Sequence, residues 1–205
     1  MTKKDDLNYT DFCRDALKIM LSIKDGAHNV EHIVRVYDWS RELAKNYPEV
    51  DLNVLKVGAY WHDVGRKYES KDTDNHNIKS GEKVENYLLK KKAPKDFISK
   101  VKEVVVNHSF SCVSKTIEGK IVHDADKLAF FSDHAIVDSY ESMKEGYETE
   151  TFNREKVILW LKDIISHQDF FYKGFLLKES REYYKKIEKD LMKTLKKVIE
   201  KGSNY

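Results

Sequence analysis

The chain has 205 residues, with 37 Lys and Arg against 35 Asp and Glu; 35% of its residues are charged and 40% hydrophobic. This is a globular composition: the aromatic content excludes a disordered chain, and a net charge of +2 is no signature of nucleic-acid binding. Two prolines and eight glycines in this length point to an all-α fold.

In chain order, the start "MTKKDDLNYT" has no apolar leader core, and residues 9–24 read as a first helix. Residues 28–46 read as a second, with Val30, Ile33, Val34 and Tyr37 at i, i+3, i+4, i+7, stopping near Pro48. Asp51 can cap a third helix that carries Leu52, Leu55, Ala59 and His62 along one side, with Gly65 at its end. A polar loop, "ESKDTDN" at 69–75, precedes a helix over 76–91. "LKKKAPK" at 89–95 reads as a solvated connection, and Pro94 suits the first turn of a helix over 95–107. Residues 109–120 read as loop, 120–140 as one helix or two, and 153–165 and 175–201 as helices. Tyr184, Ile187, Leu191, Leu195 and Val198 form a stripe at helical spacing, which reads as core packing. No stretch approaches the roughly 18 apolar residues of a membrane span. Cys13 and Cys112 are the only cysteines and read as free thiols in a cytoplasmic protein, Cys112 as a small apolar filler.

The chemistry concentrates on histidine and aspartate. His28 and His32 lie one turn apart, His62 adjoins Asp63, and His123 is followed by Asp124 and Asp126. Imidazole with carboxylate is a ligand set for a divalent metal, and no cysteine spacing competes for it. Neighbours on an ideal helix point about 100° apart, so His62 and Asp63 reach one ion only near the helix end. A buried Asp63 also needs a cationic partner. His123, His134 and His167 read as structural or exposed, and Trp39, Trp61 and Trp160 as core. There is no Walker loop and no dinucleotide fingerprint.

Four stretches in order, "VEHIVRVYDWSRELA", "AYWHDVGR", "VNHSFS" and "KIVHDADKLAFF", resemble the HD-domain superfamily of metal-dependent phosphohydrolases, and its small bacterial and archaeal members in particular. The resemblance covers about residues 25–135. It implies a single HD-type helical bundle, with helices of about 150–201 packing on the motif core. It further implies metal ligands at His32, His62, Asp63 and Asp126, with Asp63 also steering the attacking water or taking its proton. Asp124 is then a helper of the site or a surface charge. His28 would line the cleft, and His76 and His108 would face substrate phosphate or a second ion. Residues 84–90, "VENYLLK", lack the further histidine of two-metal relatives, so one ion per chain is expected. Arg66, Lys67 and Arg35 are candidates to neutralise phosphate.

The expected function is metal-dependent hydrolysis of a phosphate ester or anhydride in a nucleotide or other small phosphorylated metabolite. The ion could be Mn, Fe, Ni, Co, Mg or Zn. The alternatives are a nucleotide-sensing module with a structural metal, and a diiron oxygenase on the same scaffold. Neither a membrane nor nucleic acid is an expected partner.

Overall fold

A computed structural model of the chain describes residues 7–22, 28–68, 75–131 and 154–202. All regular elements among them are helical: α1 (Tyr9–Met20), α2 (Val30–Ala44), α3 (Leu52–Trp61), a 3₁₀ turn (Val64–Tyr68), α4 (His76–Lys90), α5 (Lys95–Val106), α6 (Ile117–Phe131), α7 (Arg154–Ser166), α8 (Gln168–Gly174) and α9 (Lys178–Gly202). The expected loop at 69–74, the helix beyond 131, His134 and the side chain of Trp160 lie outside the described residues. Among the described residues no helix is long and apolar enough to cross a membrane.

Local chemistry sets several boundaries. Asn29 Oδ1 accepts from His32 N at 3.0 Å, and Asp51 Oδ1 accepts from Asn53 N and Val54 N. These side chains satisfy the first amides of α2 and α3, which have no partner within their helices. Glu103 organises the stretch expected as loop: it accepts from Ser114 Oγ, Lys115 N and Thr116 Oγ1, and Thr116 Oγ1 in turn accepts from Gly119 N in the first turn of α6. The 89–95 connection is exposed apart from Ala93, as its charge pattern predicts.

Two expectations need correction. The third helix stops at Trp61 rather than Gly65, and His62 is its C-cap. Gly65 lies in the 3₁₀ turn, where its amide donates to Ser80 Oγ at 2.7 Å. The glycine is needed for close approach to α4 and not to end a helix. The C-terminal helix starts at Lys178, and a separate short helix, α8, precedes it.

The core runs from Phe12, Ala16 and Met20 of α1, through Ile33 and Val36 of α2 and Val101 and Val104 of α5, to Leu128 of α6 and Leu195 of α9. α2 packs on α6 and α3, α3 also on α5, and α4 on α5 and the 3₁₀ turn. Trp61 is buried and donates through Nε1 to Phe12 O at 3.0 Å. Tyr184, Leu191, Leu195 and Val198 are buried along α9, and Ile187 packs against the core beside them.

Asp124 anchors the chain entering α9. It is not a surface charge, and its hydrogen-bond partners are not members of the metal-type cluster described below. It is fully buried and accepts from His123 Nδ1 (2.8 Å), Leu176 N (2.9 Å) and Leu177 N (2.8 Å). Asp124→Ala strands three donors and is expected to cost about 3 kcal/mol of stability in a denaturant titration. Metal content should be unchanged, because the groups Asp124 bonds, His123 and the Leu176 and Leu177 amides, are not candidate ligands.

Candidate metal centre

Five elements deliver donors to one place. His32 sits in the first turn of α2, His62 and Asp63 at the end of α3, His76 at the start of α4, His108 just past α5, and Asp126 within α6. His32, His62, Asp63, His76 and His108 are all buried. Helix ends suit the task, since a side chain there can project into a space between elements without being covered by the next turn.

The ring orientations are fixed from behind. His62 Nδ1 lies 2.7 Å from Ala59 O and His108 Nδ1 2.6 Å from Val105 O. A carbonyl only accepts, so in both rings Nδ1 carries a proton and donates, which turns Nε2 into the cluster. Asp63 divides the donors into two triads that share it. Around Oδ2, His32 Nε2 is at 3.7 Å and His62 Nε2 at 3.4 Å, with 3.3 Å between the two nitrogens. Around Oδ1, His76 Nε2 and His108 Nε2 are each at 3.6 Å, with 3.2 Å between them. Asp126 joins the first triad through Oδ1, 3.1 Å from His32 Nε2 and 3.8 Å from His62 Nε2.

These separations fit a cation. Donors about 2.1 Å from one ion stand about 3.0 Å apart at right angles and about 3.4 Å apart in a tetrahedron. Asp63 Oδ1 is buried yet takes no directed hydrogen bond, although Arg66 Nε lies 2.9 Å away off the line of its N–H. An acceptor left in that state at the focus of two imidazoles is suited to a metal. His32, His62 and Asp63 form one group able to hold an ion, and Asp63, His76 and His108 a second.

The electrostatics keep the donors ready. Burial raises the Asp63 carboxyl, but the Arg66 and His62 charges outweigh it and hold it well below the usual range. For Asp126 burial is outweighed first by the His32 hydrogen bond and then by Lys127. Burial pushes His32 down, and pushes His108 down to about 4, so both rings are neutral near pH 7. Burial also disfavours charge on His62, but Asp63 and Asp126 overcome it and raise its pKa above 6.5. A cation must displace that proton, so affinity for Mn²⁺ is expected to rise with pH across the neutral range. Isothermal titration at pH 6 and pH 8 measures the difference.

The other expected residues take different positions. His28 is half-buried, with its ring 5.8 Å from that of His32, at the margin of the first triad. Arg66 is turned onto Asp63, with Nε 2.9 Å from Oδ1 and Nη2 3.4 Å from His76 Nε2, so it braces the carboxylate. Lys67 is exposed, and Arg35 pairs loosely with Glu31 at 3.9 Å. Cys112 is half-buried beside Asn77, and His167 is exposed at the end of α7. Sequence reasoning missed Lys127, which is buried against Asp126. The available signal was a lysine directly after the last ligand, in the otherwise apolar run "KLAFF".

Residues 29–130 match the HD-domain family model. The chain is an HD-domain protein. The matched span begins at the Asn29 cap of α2 and ends in α6, so it contains both triads. Solved structures share the HD-type fold beyond that span. Lin1889 from Listeria innocua is 18% identical with a TM-score of 0.60, over 94% of this chain and 96% of its own. A predicted HD superfamily hydrolase from an uncultured Thermotogales bacterium is 22% identical with a TM-score of 0.56, over 77% and 89%. YpgQ from Bacillus subtilis, solved in complex with ADP, is 19% identical with a TM-score of 0.56, over 87% and 97%. No curated protein matches the chain.

Proposed function

We propose that this HD domain is a metal-dependent phosphohydrolase acting on a nucleotide or a similar small phosphorylated metabolite. The observation that carries the reading is the pair of rings, His62 and His108, that commit Nδ1 to backbone carbonyls and turn Nε2 toward opposite oxygens of one buried carboxylate. His32, His62, Asp63 Oδ2 and Asp126 would hold one divalent ion. Asp63 Oδ1, His76 and His108 would hold a second. The absence of a histidine from 84–90 argues for one ion, but His76, the first residue of the same helix, supplies the missing donor.

A divalent ion bound there polarises a phosphoryl oxygen and lowers the pKa of bound water toward neutrality. The chain's own groups supply the rest. Asp63 touches both triads and is placed to orient a water or take its proton. Asp63 and Asp126 are balanced by Arg66 and Lys127, so each divalent ion leaves the site net positive and attractive to phosphate. Lys67, exposed at the same turn, and Arg35, near His32 on α2, are the cations available to a substrate's outer phosphates. The nucleotide is suggested by the ADP complex of YpgQ.

The test is phosphate release from nucleoside mono-, di- and triphosphates and from simple phosphomonoesters and diesters, with and without Mn²⁺. Metal-dependent release from one class supports the enzyme and names its substrate. Bound metal with no turnover on any member would favour a nucleotide-sensing module.

A further inference from the structure

Among the described residues, Lys127 is the buried cation that the ligand pattern does not explain. It is 6% exposed on α6. An ammonium is costly to bury without partners, so its partners indicate its role. Nζ donates to the main-chain oxygen of His108 at 2.6 Å and lies 3.7 Å from Asp126 Oδ2. Phe110 covers it, with its ring centroid 5.6 Å from Nζ. The His108 carbonyl lies just beyond α5, where helix carbonyls have lost their donors and the dipole favours a cation. A charge-assisted bond there is about twice as strong as a neutral one.

One side chain therefore touches a member of each triad, and touches both from behind. It meets Asp126 through Oδ2, leaving Oδ1 toward His32, and meets His108 through the main chain, leaving Nε2 toward Asp63. With Nδ1 on Val105 O, His108 is held by both ring and backbone.

We infer that Lys127 is a positioning residue, a strut between Asp126 and the His108 main chain that sets the second cation subsite in register with the first. The inference rests on the two-ion reading above. Its competitor is plain neutralisation of Asp126, and the two roles predict opposite signs. A nearby ammonium repels a cation, so removing a mere counter-charge tightens metal binding. Removing a strut weakens the ion on His76 and His108.

The experiment is isothermal titration of the chelator-stripped full chain with Mn²⁺. Wild type is expected to show two binding events. Lys127→Met keeps the aliphatic stem and loses the donor; its first event should be little changed and its second weakened by about tenfold or more, as for lost support behind a ligand. Lys127→Arg restores a charged donor and should recover most of the loss. A purely structural contribution would lower the melting temperature without separating the two events. If Lys127→Met does not fold by circular dichroism, Lys127→Leu, which also lacks a donor, is titrated with the same expectation. An unchanged or tightened second event in the folded variant overturns the strut while leaving the two-ion site intact. A wild type that binds one ion or none overturns the two-ion reading, and the strut with it.

Discussion

Asp63→Ala is expected to lose both cations at once and to lower any metal-dependent hydrolysis by about three decades, the equivalent of several kcal/mol of metal-borne stabilisation. No other candidate ligand should show a loss this broad, because Asp63 alone presents one oxygen to each triad. His32→Ala should act on the first ion and His76→Ala on the second. The fold should survive the Asp63 change, since Arg66 is the cation left behind and its side chain is 20% exposed, so water can reach it. Metal analysis by mass spectrometry and circular dichroism on the same sample separate loss of ions from loss of structure. Metal retained at the wild-type level in a folded Asp63→Ala protein would remove Asp63 from the site.

Gly65→Ala is expected to be strongly destabilising. A Cβ at this position falls 2.1 Å from His76 O and 2.5 Å from Ser80 N. Both are backbone atoms in the first turns of α4, so no rotamer change relieves the overlap. Overpacking of this kind typically costs 1–3 kcal/mol and sometimes more; about 3 kcal/mol is expected, read as a lowered denaturant midpoint. The shift also displaces His76, so the second ion should weaken in the protein that does fold. Gly58→Ala is the control. There the obstruction is Val104 Cγ1 at 2.5 Å, a side-chain atom, and Val104→Ala should restore much of the stability. No comparable rescue exists for Gly65→Ala. A Gly65→Ala protein as stable as wild type would show that the 3₁₀ turn is not clamped to α4 as described.

The helices were legible because apolar spacing and side-chain caps agree along the chain. Asp51 marks the start of α3 in sequence and caps it in the structure, and Tyr184, Leu191, Leu195 and Val198 are buried as their period predicts. The end of α3 was misplaced because Gly65 looks like a helix terminator, whereas tertiary contact with α4 is what requires it. In the site, the four-part motif pointed to His32, His62, Asp63 and Asp126, and the structure brings them together. His76 and His108 are legible as candidates for phosphate or a second ion, but the lack of a histidine at 84–90 points to one ion; spacing does not show that His76 reaches Asp63 from the first residue of the same helix. Arg66 illustrates a different limit. Its charge is plain in sequence, but spacing alone does not distinguish a cation that waits for phosphate from one that braces a buried carboxylate. Asp124 and Lys127 were unreadable because their partners, the amides of Leu176 and Leu177 and the carbonyl of His108, are main-chain groups brought near only by folding.

The central claim is that one buried carboxylate joins two cation subsites, and an anomalous difference map from a crystal of the full chain grown with Mn²⁺ tests it most directly. The account predicts two peaks, one among His32 Nε2, His62 Nε2, Asp63 Oδ2 and Asp126 Oδ1, the other among Asp63 Oδ1, His76 Nε2 and His108 Nε2. No peak against Asp63, with all six side chains ordered, would contradict it.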